Sequence, residues 1–405
     1  MDFTGQQDDA LKSINVWYKQ LRNNFNKANQ VFRLFGYAGT GKTTLAKHIA
    51  EHVTGDVVFG AFTGKAAQVL KEKGCPKAQT IHSMIYQPKP VPKEVIEKLK
   101  ENLKIETDKV KINDLKSKIK NLNGPKFQLN IASDLCIADL IILDECSMIN
   151  QQIAEDLMYF DKPILVLGDP GQLPPVKGGG YFTDQEPDIL LTEIHRQAKD
   201  SPIIHMATMV RQGKQLPFAD FGGMCRKREK RLFWDSDDVK ADQILCGKNA
   251  TRRNINSAMR SLLGKVSSKD PLSCYPKKAE KLICLRNNHE FGLLNGLMGN
   301  TLEDSVYDEG ELSIKIKLDF GGDLALPILK EHFLEYETPG LVEHMPYWER
   351  REVEEFDYAY AITVHKSQGS QWKNVCFYDD GMSHQRNKLL YTAITRASER
   401  VVIYA

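Results

Sequence analysis

The segment VFRLFGYAGTGKTTLAKHIAEHV constrains the fold more than any other part of the 405-residue chain. An apolar run from Val31 to Phe35 predicts a buried strand. It passes into Gly36-Tyr37-Ala38-Gly39-Thr40-Gly41-Lys42-Thr43-Thr44, after which apolar residues at Leu45, Ile49 and Val53 predict a helix. The pattern G-x-x-x-x-G-K-[ST] between a strand and a helix is that of a phosphate-binding loop in an α/β sheet. Its glycines let backbone N–H groups curl around phosphates, and the following helix N-terminus favours their negative charge. Gly36, Ala38, Gly39, Thr40, Gly41, Lys42, Thr43 and Thr44 are therefore expected to bind a nucleotide. Lys42 would meet the β- and γ-phosphates, and the Thr43 hydroxyl would ligate Mg²⁺.

Three further segments suit such a site. In ADLIILDECSMI an apolar strand, Leu140 to Leu143, delivers Asp144 and Glu145 at its carboxyl end, where open α/β sheets keep their ligands. Asp144 is expected to hold Mg²⁺ through water, and Glu145 to orient and deprotonate an attacking water. In KPILVLGDPGQLPPV a strand from Ile164 to Leu167 ends in Gly168-Asp169-Pro170, and Gln172 then projects from the loop. Its amide could read a γ-phosphate; Pro170, Pro174 and Pro175 would equally satisfy a plain proline-rich turn. Near the start, Gln7 in FTGQQDDALKSI precedes the first helix, and a side-chain amide there could pair with adenine.

Composition excludes several alternatives. Hydrophobic residues make up 41% and charged residues 27%, with a net charge of only +2, a soluble globular mixture, and 405 residues exceed one ordinary domain, so at least two cores are expected. That charge marks no strongly basic nucleic-acid binder, yet it permits basic groups gathered in one groove. The eight cysteines are scattered without a C-x-x-C pair and read as reduced core thiols. The N-terminal residues show no signal pattern and no segment has the length and apolarity of a membrane span, so a soluble, cytoplasmic protein is expected.

The chain ends on LLYTAITRASERVVIYA, a predicted helix followed by an apolar strand, with Arg396 and Arg400 at the junction. Either arginine could simply offset a helix dipole. Taken in order, Gln7, GYAGTGKTT, AFTGKAAQVL, TIHSMI, LDECSM, LGDPGQLPPV, LTEIHRQ, TVHKSQGSQW and this last stretch resemble a superfamily 1 helicase of the RecD-like branch, which includes the phage Dda helicases. The resemblance covers nearly the whole chain. It implies two RecA-like α/β domains with ATP and Mg²⁺ between them, single-stranded DNA across their tops, and 5′-to-3′ movement that unwinds forked duplex DNA. It also implies a monomer working beside single-strand-binding or other replication and recombination proteins. Arg196 and Arg396 then become arginines presented to the γ-phosphate from the second half, a device worth roughly 10³–10⁵ in rate in other nucleotide hydrolases. Gly369 would add a backbone contact near that phosphate.

On the same resemblance Thr63, Lys65, Thr80, His82, Thr363, His365 and Lys366, with Trp372 nearby, line the single-strand groove. Hydroxyls, imidazoles and ammonium groups suit phosphates and sugars without reading sequence. The same residues could equally be helix caps, structural histidines or solvated lysines. Four parts are expected: 1–87 with 130–190 as the ATP-binding RecA-like domain; 88–129 as an inserted helical arm or pin; 191–298 with 352–405 as the second RecA-like domain; and 299–351 as a small SH3-like β unit. KLICLRN reads as a strand of the second RecA-like domain. LSIKIKLDF alternates apolar and polar residues before the Gly321-Gly322-Asp323 turn, as a half-buried antiparallel strand does. In the arm, Phe127 follows the Asn123-Gly124 turn signal and is the candidate strand-separating wedge.

Overall fold

The computed structural model describes residues 3–88, 98–99, 101–102, 111, 115, 127–174, 180–194, 200–222, 225–229, 240–288, 290–319, 322–343, 345, 347–381 and 385–405. The chain divides into two units. One comprises Met1–Ile85, Ile131–Leu263 and Ala359–Ala405; the other comprises Tyr86–Asn130 and Gly264–Tyr358.

The first unit opens with α1 (Gly5–Asn23), started by a capping box in which the side chains of Thr4 and Gln7 each take the other's backbone N–H. Ala10, Ile14, Trp17, Tyr18 and Leu21 form its buried stripe. Then come β1 (Val31–Gly36), α2 (Lys42–His52), β2 (Val57–Ala61), α3 (Gly64–Glu72), β3 (Gln79–Thr80) and α4 (Ile81–Ile85). Two short strands of the other unit intervene, β4 (Tyr86–Pro88) and β5 (Phe127–Leu129). The chain continues with β6 (Leu140–Asp144), α5 (Gln151–Met158), β7 (Ile164–Gly168) and β8 (Ile189–Leu191). The strands form one parallel sheet in the order β3-β2-β6-β7-β1-β8. All of β7, and β6 up to Leu143, is buried, which is why both read as unbroken apolar runs. Because β6, β7 and β1 are neighbours and parallel, the loops that leave them emerge side by side at one edge.

A second sheet of this unit follows α6 (Pro202–Arg211). It contains β9 (Asp220–Phe221), β10 (Cys225–Arg228) and β11 (Gln243–Cys246), the last leading into α7 (Asn249–Leu262). Its remaining strands come from the end of the chain: β18 (Ala361–Thr363), β19 (Trp372–Tyr378) and β20 (Ala397–Tyr404). The order is β18-β11-β19-β20-β10-β9, parallel except for the edge pair β10–β9. Helix α9 (Val364–Ser367) leaves β18, and α10 (Arg386–Ile394) precedes β20. Among the described residues no helix is long and apolar enough to cross a membrane.

The second unit is antiparallel. Strands β12 (Lys281–Cys284), β13 (Met298–Thr301), β14 (Val306–Asp308), β15 (Glu311–Leu318), β16 (Asp323–Ile328) and β17 (Phe356–Tyr358) make its sheet, and the short helix α8 (Glu331–Leu334) follows β16. The strict burial alternation of β15 matches its sequence pattern. KLICLRN was expected in the second RecA-like domain, and that expectation is corrected: β12 pairs with β13 and, antiparallel, with β17. Leu282, Cys284, Phe356 and Tyr358 belong to the apolar core of this sheet, which therefore reaches beyond 299–351 on both sides. Also in this unit, β4 and β5 pair antiparallel, with Phe127 opposite Pro88. Most of the helical arm expected over 88–129 lies outside the described residues.

Candidate active site

The phosphate-binding loop turns on Gly39 and Gly41, at φ 80° and 77°, a left-handed region that glycine enters without strain. Gly41 is doubly fixed, because a Cβ there would come within 2.7 Å of the Gln7 amide nitrogen. Gln7 is buried, and both ends of its amide are occupied: Nε2 donates to the Thr40 carbonyl at 3.0 Å and Oε1 accepts the Thr4 N–H at 3.0 Å. Lys42 Nζ donates to the carbonyls of Gly36 at 2.6 Å and Tyr37 at 3.1 Å. Thr44 is exposed, whereas Ala38, Gly39, Lys42 and Thr43 line a cavity of about 240 Å³.

Asp144 and Glu145 reach the same cavity from the end of β6. Asp144 Oδ2 accepts the Thr43 hydroxyl at 3.1 Å, so two hard oxygens sit together as Mg²⁺ requires. Burial first, and then the adjacent Glu145 carboxylate, pushes the Asp144 carboxyl above the usual carboxylate range. Glu145 itself has φ 53° and ψ 46°, a left-handed backbone that costs a non-glycine residue energy and aims its side chain across the cavity.

The opposite wall belongs to the second sheet. Gly369, Ser370, Thr395 and Arg396 line the cavity from there. Arg396 is buried, with Nη1 3.5 Å from Glu145 Oε1. Gln172 lies between them; with its amide turned so that both ends find partners, the nitrogen donates to Glu145 Oε2 at 3.0 Å and the oxygen accepts from Arg396 Nη2 at 3.3 Å. Arg396 also donates to the Ser370 carbonyl and the Thr395 hydroxyl. Its Nε is buried with no hydrogen-bond partner among the described residues, a donor that an anionic oxygen would satisfy. Arg196 lies outside the described residues.

The residues expected along a DNA groove follow strand ends of both sheets. Thr63 caps α3 by accepting the Ala66 N–H, Thr80 accepts the Ser83 N–H, and Thr363 caps α9 by accepting the Lys366 N–H. Lys65 is buried with its ammonium 4.6 Å from the centre of the Trp372 ring. Gly369, at φ 75°, packs so closely on Ala66 that a Cβ would approach its methyl to 2.7 Å. Thr63, Lys65, Gly369 and Trp372 thus meet where the two sheets face each other. Burial lowers the pKa of both His82 and His365, and His82 stands edge-on to Phe62. In the other unit, Phe127 is 56% exposed.

Residues 18–223 match the family model described as AAA domain, and residues 358–404 match that of the UvrD-like helicase C-terminal domain. The ATP-dependent RecD2 DNA helicase of Deinococcus radiodurans is 27% identical over 387 residues, which cover 91% of this chain and 46% of that protein. The ATP-dependent DNA helicase dda of Enterobacteria phage T4 is 31% identical over 229 residues, covering 53% of this chain and 44% of that one. The chain thus spans less than half the length of these curated relatives. Among solved structures, Bacteroides Pif1 bound to ssDNA superposes with a TM-score of 0.55 at 19% identity, covering 100% of this chain and 92% of that one. The Bacteroides Pif1 complex with ADP-AlF3 and ssDNA gives 0.54 at 18%, covering 100% and 93%. At that identity the likeness is one of fold. With a family model over just over half of its length, the chain belongs to the AAA-domain family, and its homologues include superfamily 1 helicases of the RecD2 and dda type.

Proposed function

We propose that the chain is an ATP-driven motor that moves 5′-to-3′ along single-stranded DNA and separates the duplex at a fork. The observation that carries this reading is Arg396, which belongs to the second sheet yet lies 3.5 Å from Glu145 of the first. An arginine so placed ties nucleotide hydrolysis to the approach of the two sheets, and such coupling is what a motor needs. The RecD2 and dda relatives are ATP-dependent helicases, and the Pif1 complexes contain ssDNA. The direction of movement rests on the RecD-like resemblance.

In this reading the backbone N–H groups of the phosphate loop and Lys42 bind the phosphates. Thr43 and Asp144 hold Mg²⁺, which when bound supplies positive charge to the phosphate oxygens. Glu145 orients the attacking water and takes its proton, Gln172 keeps the carboxylate and guanidinium in register, and Arg396 stabilises charge developing on the γ-phosphate. Gln7 holds the loop through the Thr40 carbonyl, and reading adenine would require its amide to exchange one of its present partners. Thr63 and Thr363 cap helices and in the same positions can donate their hydroxyl hydrogens to a strand, whereas the Thr80 hydroxyl donates to Ser83 Oγ at 2.9 Å and would exchange that partner to do so. Lys65, His82, His365 and Lys366 complete the proposed groove, and the protein acts as a monomer on single-stranded and forked DNA.

The test is ATP hydrolysis with and without single-stranded DNA, followed by unwinding of duplexes with 5′ or 3′ single-stranded tails. Strand separation only from a 5′ tail is expected, and Lys42→Ala should lose both nucleotide binding and turnover. DNA-stimulated hydrolysis without separation of any fork would instead mark a loading or remodelling ATPase. Hydrolysis indifferent to DNA would overturn the motor.

A further inference from the structure

Beyond the residues assigned above, a buried chain of hydrogen bonds joins two loops at the nucleotide cavity through a helix. The Ala38 N–H, in the phosphate loop, donates to the Tyr391 hydroxyl at 2.8 Å. That hydroxyl in turn donates to Asp169 Oδ2 at 2.8 Å, and Asp169 Oδ1 accepts the Gly171 N–H at 2.9 Å. Tyr391 lies on α10, which belongs to the second sheet, whereas Ala38 and Asp169 follow β1 and β7 of the first. Two further bonds from the second sheet's side hold the same loop: the Thr392 hydroxyl accepts the Leu173 N–H at 3.0 Å, and Gln368 Nε2 donates to the Leu173 carbonyl at 2.8 Å. Gln172, which spans Glu145 and Arg396, sits inside this clasp. Tyr391 and Asp169 are 2% and 3% exposed, so neither can exchange its partner for solvent while the sheets are together. The space is fully used as well, since a Cβ on Gly171 would come within 2.9 Å of the Tyr391 ring.

We propose that the Tyr391 hydroxyl is a positioning group for hydrolysis: by bonding the phosphate loop and Asp169 at once, it sets the Gln172 loop in register with the phosphates only when the second sheet is docked. This rests on the reading of the cavity as an ATP hydrolysis site. Burial raises the Tyr391 pKa far above 10, which keeps the hydroxyl a donor at neutral pH. A tyrosine serves here where a serine or threonine would not, because its ring carries the hydroxyl from a helix of one sheet to a loop of the other.

Tyr391→Phe removes the hydroxyl and keeps the ring. Turnover at saturating ATP and single-stranded DNA should fall about 10²-fold, as loss of register costs in other enzymes. Binding of a fluorescent ADP analogue should stay within about three-fold, because Lys42 and the rest of the loop are untouched. The stimulation by DNA should shrink in parallel with turnover. Asp169→Asn, which keeps one acceptor oxygen, should show the same split and supplies the test should the tyrosine variant fold poorly. The double variant should be no worse than the poorer single one, since both break a single link. Turnover within two-fold of wild type, additive losses, or weakened ADP binding with unchanged turnover would each overturn the proposal. A wild-type protein that hydrolyses no ATP, with or without DNA, would refute the ATPase reading instead.

Discussion

Arg396 and Glu145 face each other at 3.5 Å across a cavity whose walls come from two different sheets, with the Gln172 amide between them and able, suitably turned, to bond both. Coulomb attraction between a buried guanidinium and a partly buried carboxylate favours this closed arrangement. It also holds both groups off solvent before a phosphate arrives. Arg396→Ala should therefore lower DNA-stimulated ATP turnover by about 10³-fold or more, while nucleotide and single-strand binding stay within a few-fold. Arg396→Lys should not restore turnover, because a single ammonium cannot bridge Glu145, Gln172 and a phosphate at once. Stimulated turnover near the wild-type rate in either variant would remove Arg396 from the chemistry.

Glu145 carries a second cost in its backbone. At φ 53° it stands in a region where a side chain is strained, and the strain persists because β6 and the short turn Cys146–Met148 fix the chain on both sides. Glu145→Gly and Glu145→Ala both abolish the carboxylate and leave Arg396 equally unpaired, so their difference isolates the backbone. The glycine variant should be more stable by about 1 kcal/mol in denaturant unfolding. Both should hydrolyse ATP at least about 10²-fold more slowly than the wild type. Equal stability of the two variants would show that the strain is absent.

Most of the first sheet was legible because its central strands are buried on both faces and end abruptly in functional residues. Leu140 to Leu143 and Ile164 to Leu167 could be nothing but core, and the acids after them marked the ligand edge. KLICLRN misled for the complementary reason: a short apolar run carries no information on whether its partner runs parallel or antiparallel. Tyr391 lay within a segment already singled out, yet its role depends on bonds to Ala38 and Asp169 that span 353 and 222 positions of sequence. No local pattern encodes such a meeting. Gln7 shows the reverse case, where an amide expected to face a ligand is engaged by the loop it supports.

Two histidines, His82 and His365, predict a specific response to acid. Burial holds His82 and His365 below their ordinary pKa of 6.5 in the folded protein, whereas the unfolded chain titrates near that value. The unfolded state therefore binds more protons as pH falls. Stability contributed by these neutral imidazoles is complete above pH 6.5 and is lost as pH drops through the lowered folded values. His365→Gln should flatten the decline of the thermal midpoint between about pH 6.5 and 5 relative to wild type. Both imidazoles are neutral at pH 7, so the salt dependence of single-strand affinity should be the same at pH 7 and pH 8. A salt slope that steepens on going from pH 8 to pH 7 would show that a histidine carries charge to the strand.

Phe127 offers the last test, and a clean one, because its ring supports little of the fold. It lies on β5 opposite Pro88, 56% exposed, so truncation removes only part of a side chain's burial and should lower the unfolding midpoint little. If the ring stacks on the base pair at a fork, Phe127→Ala should unwind several-fold fewer base pairs per ATP consumed. DNA-stimulated hydrolysis should remain within two-fold, because the nucleotide cavity is built wholly from the other unit. A leucine at the same position should fall between the two, having apolar bulk without a face to stack. Unwinding per ATP at the wild-type value in the alanine variant would assign strand separation to some other part of the chain.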